Sequence, residues 1–194
     1  MKDFGMLADE TTVQKTVEAL GANEIEAIVV ENGAAAKEKV LKLLPKGAEV
    51  MTMSSETLKK VGLTEVDTVK EKLKVIETGT EKSKLGAAPE WAIGSVHAVT
   101  EDGKVLIASN TGSQLPAYVY GSGHVIWVVG AQKIVKDLDE GMKRIYEYVL
   151  PLESERVKKA YGMEKSNVSK LLIFNKETQP GRITMVLVKE KVGF

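Results

Sequence analysis

The chain has no cysteine at all. That excludes a disulfide, a thiolate nucleophile, a thiolate zinc site and an iron–sulfur cluster held by this chain alone. Histidine is nearly as scarce, with His97 and His124 the only two, too few for a histidine-rich cage. Neither a metal nor a cofactor is therefore expected. Of the 27 basic residues only Arg144, Arg156 and Arg182 are arginines, so bidentate recognition of a carboxylate or phosphate has few candidates. No excess charge of either sign exists, since 27 acidic residues balance the basic ones. The chain thus carries no global electrostatic reason to bind nucleic acid or an anionic membrane. Long apolar runs are missing too. The most apolar stretch, Val125 to Ala131, falls far short of the roughly 20 residues that span a bilayer. Met1-Lys2-Asp3-Phe4-Gly5 lacks the regions of a signal peptide, and a cytoplasmic protein is expected.

What remains is an ordinary globular composition, 43% apolar and 28% charged over 194 residues. It suits one domain, 1–194, with an N-terminal helix (1–20) at its periphery. Short apolar runs alternate with amphipathic segments, the α/β pattern. Thr12 is the expected cap of a first helix carrying Val13, Val17 and Leu20 on one face and stopping at Gly21. Ile25–Val30 reads as a buried strand, and Asn32 caps a helix lined by Ala36, Val40 and Leu44. Val50–Met53 is a second strand, followed by a short helix opened by Ser54 or Ser55. A helical spacing of Val66, Val69, Leu73 and Ile76 predicts a helix over 64–76. Ile93–Thr100 and Val105–Ser109 flank the turn Glu101-Asp102-Gly103-Lys104 as a hairpin. A short helix over Ser113–Tyr120 comes next. Val125–Val129, apolar throughout, fits the centre of a parallel sheet. Ile134–Leu150 is the longest expected helix, ended by Pro151, with a second from Leu152 to Tyr161. Leu171–Phe174 and Ile183–Val188 read as a closing pair of strands joined across Pro180-Gly181. The fold class is a three-layer, Rossmann-like, mostly parallel sheet with helices on both faces and a β-hairpin.

Ligands of open α/β sheets gather where strands end and helices begin. Ser109-Asn110-Thr111-Gly112-Ser113-Gln114 fits that rule: a polar, Gly-containing loop after a strand, with three hydroxyls and a helix start. Such a corner can hold a carboxylate or phosphate on backbone N–H groups. The same residues also serve a capped helix start with no ligand. The loop is not a Walker motif. Strand alternation puts Ser95 and His97, after Gly94, on one face beside this corner, with His97 able to move a proton and Glu101 a candidate base. A half-buried His97 and an exposed turn charge at Glu101 are the plainer reading. Lys133, at the end of the apolar strand, is placed to neutralise an anion. Arg144 is expected to pair with Glu140 one turn earlier. Trp91 and Trp127 read as packing residues.

Gly94-Ser95-Val96-His97-Ala98-Val99, Glu101-Asp102-Gly103 and Ser109-Asn110-Thr111-Gly112-Ser113-Gln114-Leu115-Pro116-Ala117 form an ordered set. It continues in His124-Val125-Ile126-Trp127-Val128-Val129-Gly130, Gln132-Lys133-Ile134-Val135, Leu150-Pro151-Leu152-Glu153-Ser154 and Pro180-Gly181-Arg182-Ile183. From Pro89 to Phe194 the chain resembles the LUD-domain (lactate-utilisation) family, formerly a domain of unknown function. The first half resembles it only in its pattern of elements. The resemblance implies a fold similar to ribose-phosphate isomerases and CoA transferases, and a bacterial or archaeal role in oxidising lactate to pyruvate. Larger members add a Cys-rich region, which this chain lacks. Where other members read Glu-Thr-Gly-Thr, this chain reads Glu101-Asp102-Gly103-Lys104.

Two functions follow as expectations. The first is an accessory protein that binds a small anionic metabolite at the Ser109–Gln114 loop and works with an iron–sulfur redox partner, with homodimerisation an open option. The second is a stand-alone isomerase or acyl/CoA-transferase-type enzyme using Glu101 as base or nucleophile.

Overall fold

Asp9, rather than Thr12, caps helix α1 (Glu10–Ala22): its carboxylate accepts from the Thr12 N–H, and the helix runs through Gly21 to a cap at Asn23. Asn32 caps α2 (Gly33–Leu43) by accepting from the Ala35 N–H, and Ser55 caps α3 (Glu56–Lys60) through the Leu58 N–H. The computed structural model describes residues 2–64, 74–75 and 89–194. Most of the helix expected over 64–76 and the segment 82–88 lie outside the described residues. Lys74–Val75, expected as helix, is extended.

Six strands form the main sheet, in the order β1 (Ile25–Val30), β10 (Ile183–Val188), β7 (His124–Gly130), β4 (Trp91–Gly94), β2 (Glu49–Thr52), β3 (Lys74–Val75). Every pairing is parallel, and Val29, Leu187 and Val129 lie in register across the centre. Burial on both faces explains why β7 is apolar from Val125 onward and why Thr184 is the one polar residue of β10. Alternate residues feed two cores. Ile126, Val128, Val186 and Val188 meet Ala36, Val40 and Leu58 of α2 and α3. Trp127, Val129, Met185 and Leu187 face the opposite way, toward Val13 and Leu20 of α1 and a second sheet.

That second sheet runs β8 (Ile134–Val135), β5 (Ala98–Thr100), β6 (Val105–Ser109), β9 (Lys170–Phe174). The expected hairpin is present as β5 and β6, antiparallel, with Gly103 at φ +81° where an L side chain would be strained. The strand expected over Ile93–Thr100 is broken instead. Its first part lies in the main sheet and its last in the second, so Ser95-Val96-His97 crosses between them. Two further expectations fail for the same reason, that local pattern does not choose a partner. β9 pairs antiparallel with β6, while β10 lies between β1 and β7. Ile134–Val135 is strand, after a short 3₁₀ turn over Ala131–Lys133.

The long helix begins at Leu138 and does not stop at Pro151. It runs as α4 (Leu138–Lys143), a π-helical stretch (Arg144–Val149) and α5 (Leu150–Tyr161), ending at Gly162 in the left-handed region. The wider π turn accommodates a proline that has no N–H to give. This helix covers the outer face of the second sheet, where Ile145 packs with Ala98, Leu106 and Ala108. Among the described residues no helix is long and apolar enough to cross a membrane.

Candidate functional site

The carboxyl ends of β2, β4 and β7 open into one cavity of about 490 Å³. Met53 to Thr57 follow β2, Ser95 to His97 follow β4, and Lys133 follows β7. Each arrives because its strand is central and parallel, so the chain turns back over the same edge. Ser109, Asn110 and Gln114 close one side from the end of β6, and Ile145, Val149 and Leu150 line another from the long helix.

Lys133 is buried in the floor. Its Nζ donates to Thr57 Oγ1 (2.9 Å), Ser95 Oγ (3.0 Å) and the Val96 carbonyl (3.0 Å). Burial, and the charge of Arg144 behind it, hold the amine well below the ordinary lysine range. Arg144 itself is fully buried. It donates from Nη1 to the His97 carbonyl, while Nε and Nη2 have no hydrogen-bond partner. Burial lowers it to about 10, so it stays a cation at neutral pH. Glu140 does not pair with it, being bound to Lys2 at 2.6 Å. Among the described residues no carboxylate forms an ion pair with Lys133 or Arg144. Among the described residues, then, a lysine and an arginine are buried together without a counter-ion, an arrangement that costs on the order of several kcal/mol per uncompensated charge unless a proton leaves or an anion arrives.

His97 stands beside them. Its Nδ1 accepts from the Ala108 N–H at 3.1 Å, which fixes the proton on Nε2. Burial, then Lys133 and Arg144, lower the imidazole to about 3. It is therefore neutral near pH 7, a fixed hydrogen-bond donor rather than a base. Tyr118, its phenol pushed up by burial, packs edge-on to Trp127 and fills the space above Gly94, where an added Cβ would lie 1.6 Å from the Tyr118 oxygen. At the rim Arg156 holds Glu153 through two 2.7 Å hydrogen bonds.

The sequence-predicted residues divide clearly. Ser95, His97, Ser109, Asn110, Gln114 and Lys133 line the cavity. Gly94 lies beneath Tyr118, and Thr111, Gly112 and Ser113 are not among the lining residues. The loop amides are largely spoken for, because the Gly112 N–H goes to Ser109 Oγ (2.8 Å) and the Ser113 N–H to Thr111 Oγ1 (3.3 Å). Glu101 sits away from the cavity, bound to Lys15 at 2.7 Å. Sequence reasoning does not single out Thr57 or Tyr118, and it offers Arg144 only as a surface partner of Glu140. Arg144 carried the one usable signal, as one of three arginines next to the apolar stripe of its helix, while Thr57 carried none.

A family model described as the LUD domain matches residues 13–193. Among curated proteins none matches. A crystal structure of a DUF162 family protein from Deinococcus radiodurans is similar, with a TM-score of 0.57 and 12% identity, covering 94% of this chain and 99% of that one. At that identity the likeness concerns the fold alone.

Proposed function

The chain belongs to the LUD-domain family, and from that premise we propose that it binds a small anionic metabolite, a carboxylate or a phosphate, in the cavity above Lys133. One observation carries this reading: Lys133 and Arg144 are buried side by side with no carboxylate partner among the described residues. Arg144 supplies a standing positive potential, and the hydroxyl of Ser95 and the Nε2–H of His97 supply donors at the cavity wall. An anion that settles here restores the charged form of Lys133. Because the bound state then holds an extra proton, affinity rises as pH falls.

The family's link to lactate utilisation makes lactate and pyruvate the first ligands to try. With no cysteine of its own, the chain would leave electron transfer to an iron–sulfur partner. Titration calorimetry with lactate, pyruvate, phosphate and a sugar phosphate tests the proposal. We expect saturable binding of at least one, lost in Lys133→Met. A folded wild-type protein that binds none of the four contradicts it. The enzyme reading built on Glu101 has less support, since Glu101 is bound to Lys15 outside the cavity.

A further inference from the structure

Lys133 keeps a contact that anion binding does not require, with Ser95 Oγ 3.0 Å away at the cavity wall. Three groups surround its Nζ, and each has limited freedom. The Val96 carbonyl can only accept. Thr57 Oγ1 donates its single proton to the Val192 carbonyl (3.2 Å), so toward Lys133 it too can only accept. A neutral amine has two N–H donors and one lone pair. As an ammonium Lys133 donates to all three; once it has given up a proton, two donors serve Val96 and Thr57, and the lone pair faces Ser95 Oγ at 3.0 Å. Ser95, alone of the three partners, is half-buried and opens on the cavity; its hydroxyl donates to Thr57 Oγ1 at 3.2 Å and reaches the Lys133 lone pair by turning about its Cβ–Oγ bond.

We propose that Ser95 is a nucleophile for which Lys133 is the base, and that the cavity carries acyl transfer from a small activated ester or thioester. Ser95 Oγ bonds to the acyl carbon while its proton passes to Lys133 Nζ. The bond to the alcohol or thiol then breaks, and Lys133 returns the proton to that leaving group. Water repeats the sequence, with Lys133 as base, releasing the carboxylic acid and restoring Ser95. The Nε2–H of His97 is a donor fixed in the same cavity for the carbonyl oxygen, and Ile145 and Val149 offer an apolar wall to a short acyl chain. A hydroxyl nucleophile beside an unprotonated lysine is a recognised arrangement on unrelated folds. Arg144 serves it by disfavouring the protonated lysine.

The proposal shares the cavity with the anion-binding reading but not its argument. Calorimetric binding can fail while Ser95 acylates, and the reverse. The test incubates the full chain with p-nitrophenyl acetate across a series of pH values from mildly acidic to alkaline, followed by peptide mapping by mass spectrometry. We expect one acetyl group on Ser95, absent in Ser95→Ala, with an acylation rate that rises with pH and levels off below the midpoint of a free lysine. Should Ser95→Ala fail to fold, the mapped position in the wild-type chain and its pH profile decide. An acetyl group on Lys133 overturns the proposal, since the amine is then the nucleophile. So does an unmodified Ser95 in folded protein at the alkaline end.

Discussion

Two buried arginines in this chain have opposite surroundings. Arg182 uses its guanidinium fully: Nη1 on Glu177 (2.6 Å), Nε on the Ser122 carbonyl (2.9 Å) and Nη2 on the Ala117 and Tyr118 carbonyls. Burial pushes the Glu177 carboxyl up, but the Gln179 N–H, Arg182 and the Thr178 N–H outweigh it and keep it ionised. Arg144 makes one hydrogen bond and leaves two nitrogens bare. The first cation locks the π-helical turn over Ala117–Gly121, which carries Tyr118 to the cavity wall. The second holds the His97 carbonyl and lies over the Tyr148 ring, 5.3 Å from its centroid, with no carboxylate paired to it among the described residues. A buried charge whose partners are all present is structural, and one whose partners are missing points to what arrives later.

Substitutions can break this contrast. Arg182→Met leaves Glu177 buried and unpaired, so urea unfolding should show a loss of about 3–5 kcal/mol. Equal losses in Arg144→Met would erase the distinction. The next effect is acid sensitivity. His97, held near 3 in the folded chain, titrates near 6.5 when unfolded. The unfolded state takes up the proton first, so the stability His97 contributes is intact above pH 6.5 and lost as pH falls toward 3. The urea midpoint of wild type should fall faster across that window than that of His97→Gln. Smaller again, Arg144→Met should leave stability within about 1 kcal/mol while weakening anion binding about tenfold, roughly 1.4 kcal/mol. The smallest change should come from Glu101→Gln, whose half-exposed pair with Lys15 is worth under about 1 kcal/mol, with calorimetric affinity unaltered.

Much of the main sheet is written locally. Val125–Val129 is apolar throughout because both faces are covered, and Ile25–Val30, an edge strand interrupted by the exposed Glu26, still reads as a short apolar run. Where the chain changes sheets the signal vanishes. Ser95 and His97 flank Val96 in the alternation of an ordinary half-exposed strand, so nothing in Ile93–Thr100 marks the crossing that delivers Ser95 and His97 to the cavity. Pairing of β9 and β10 was equally hidden, because Pro180-Gly181 turns the chain without stating which sheet receives each strand. Lys133 was legible from its place after an apolar strand. Arg144 was misread as the surface partner of Glu140, since helical spacing cannot tell a solvated face from one pressed against a second sheet.

Proton uptake on binding is the most direct test that Lys133 and Arg144 await an anion. Titrating the same ligand at pH 8 in two buffers of different ionisation enthalpy reads it without any substitution. Apparent heats that differ in the sense of a proton drawn from the buffer are the predicted result. Binding with identical heats in both buffers contradicts the account.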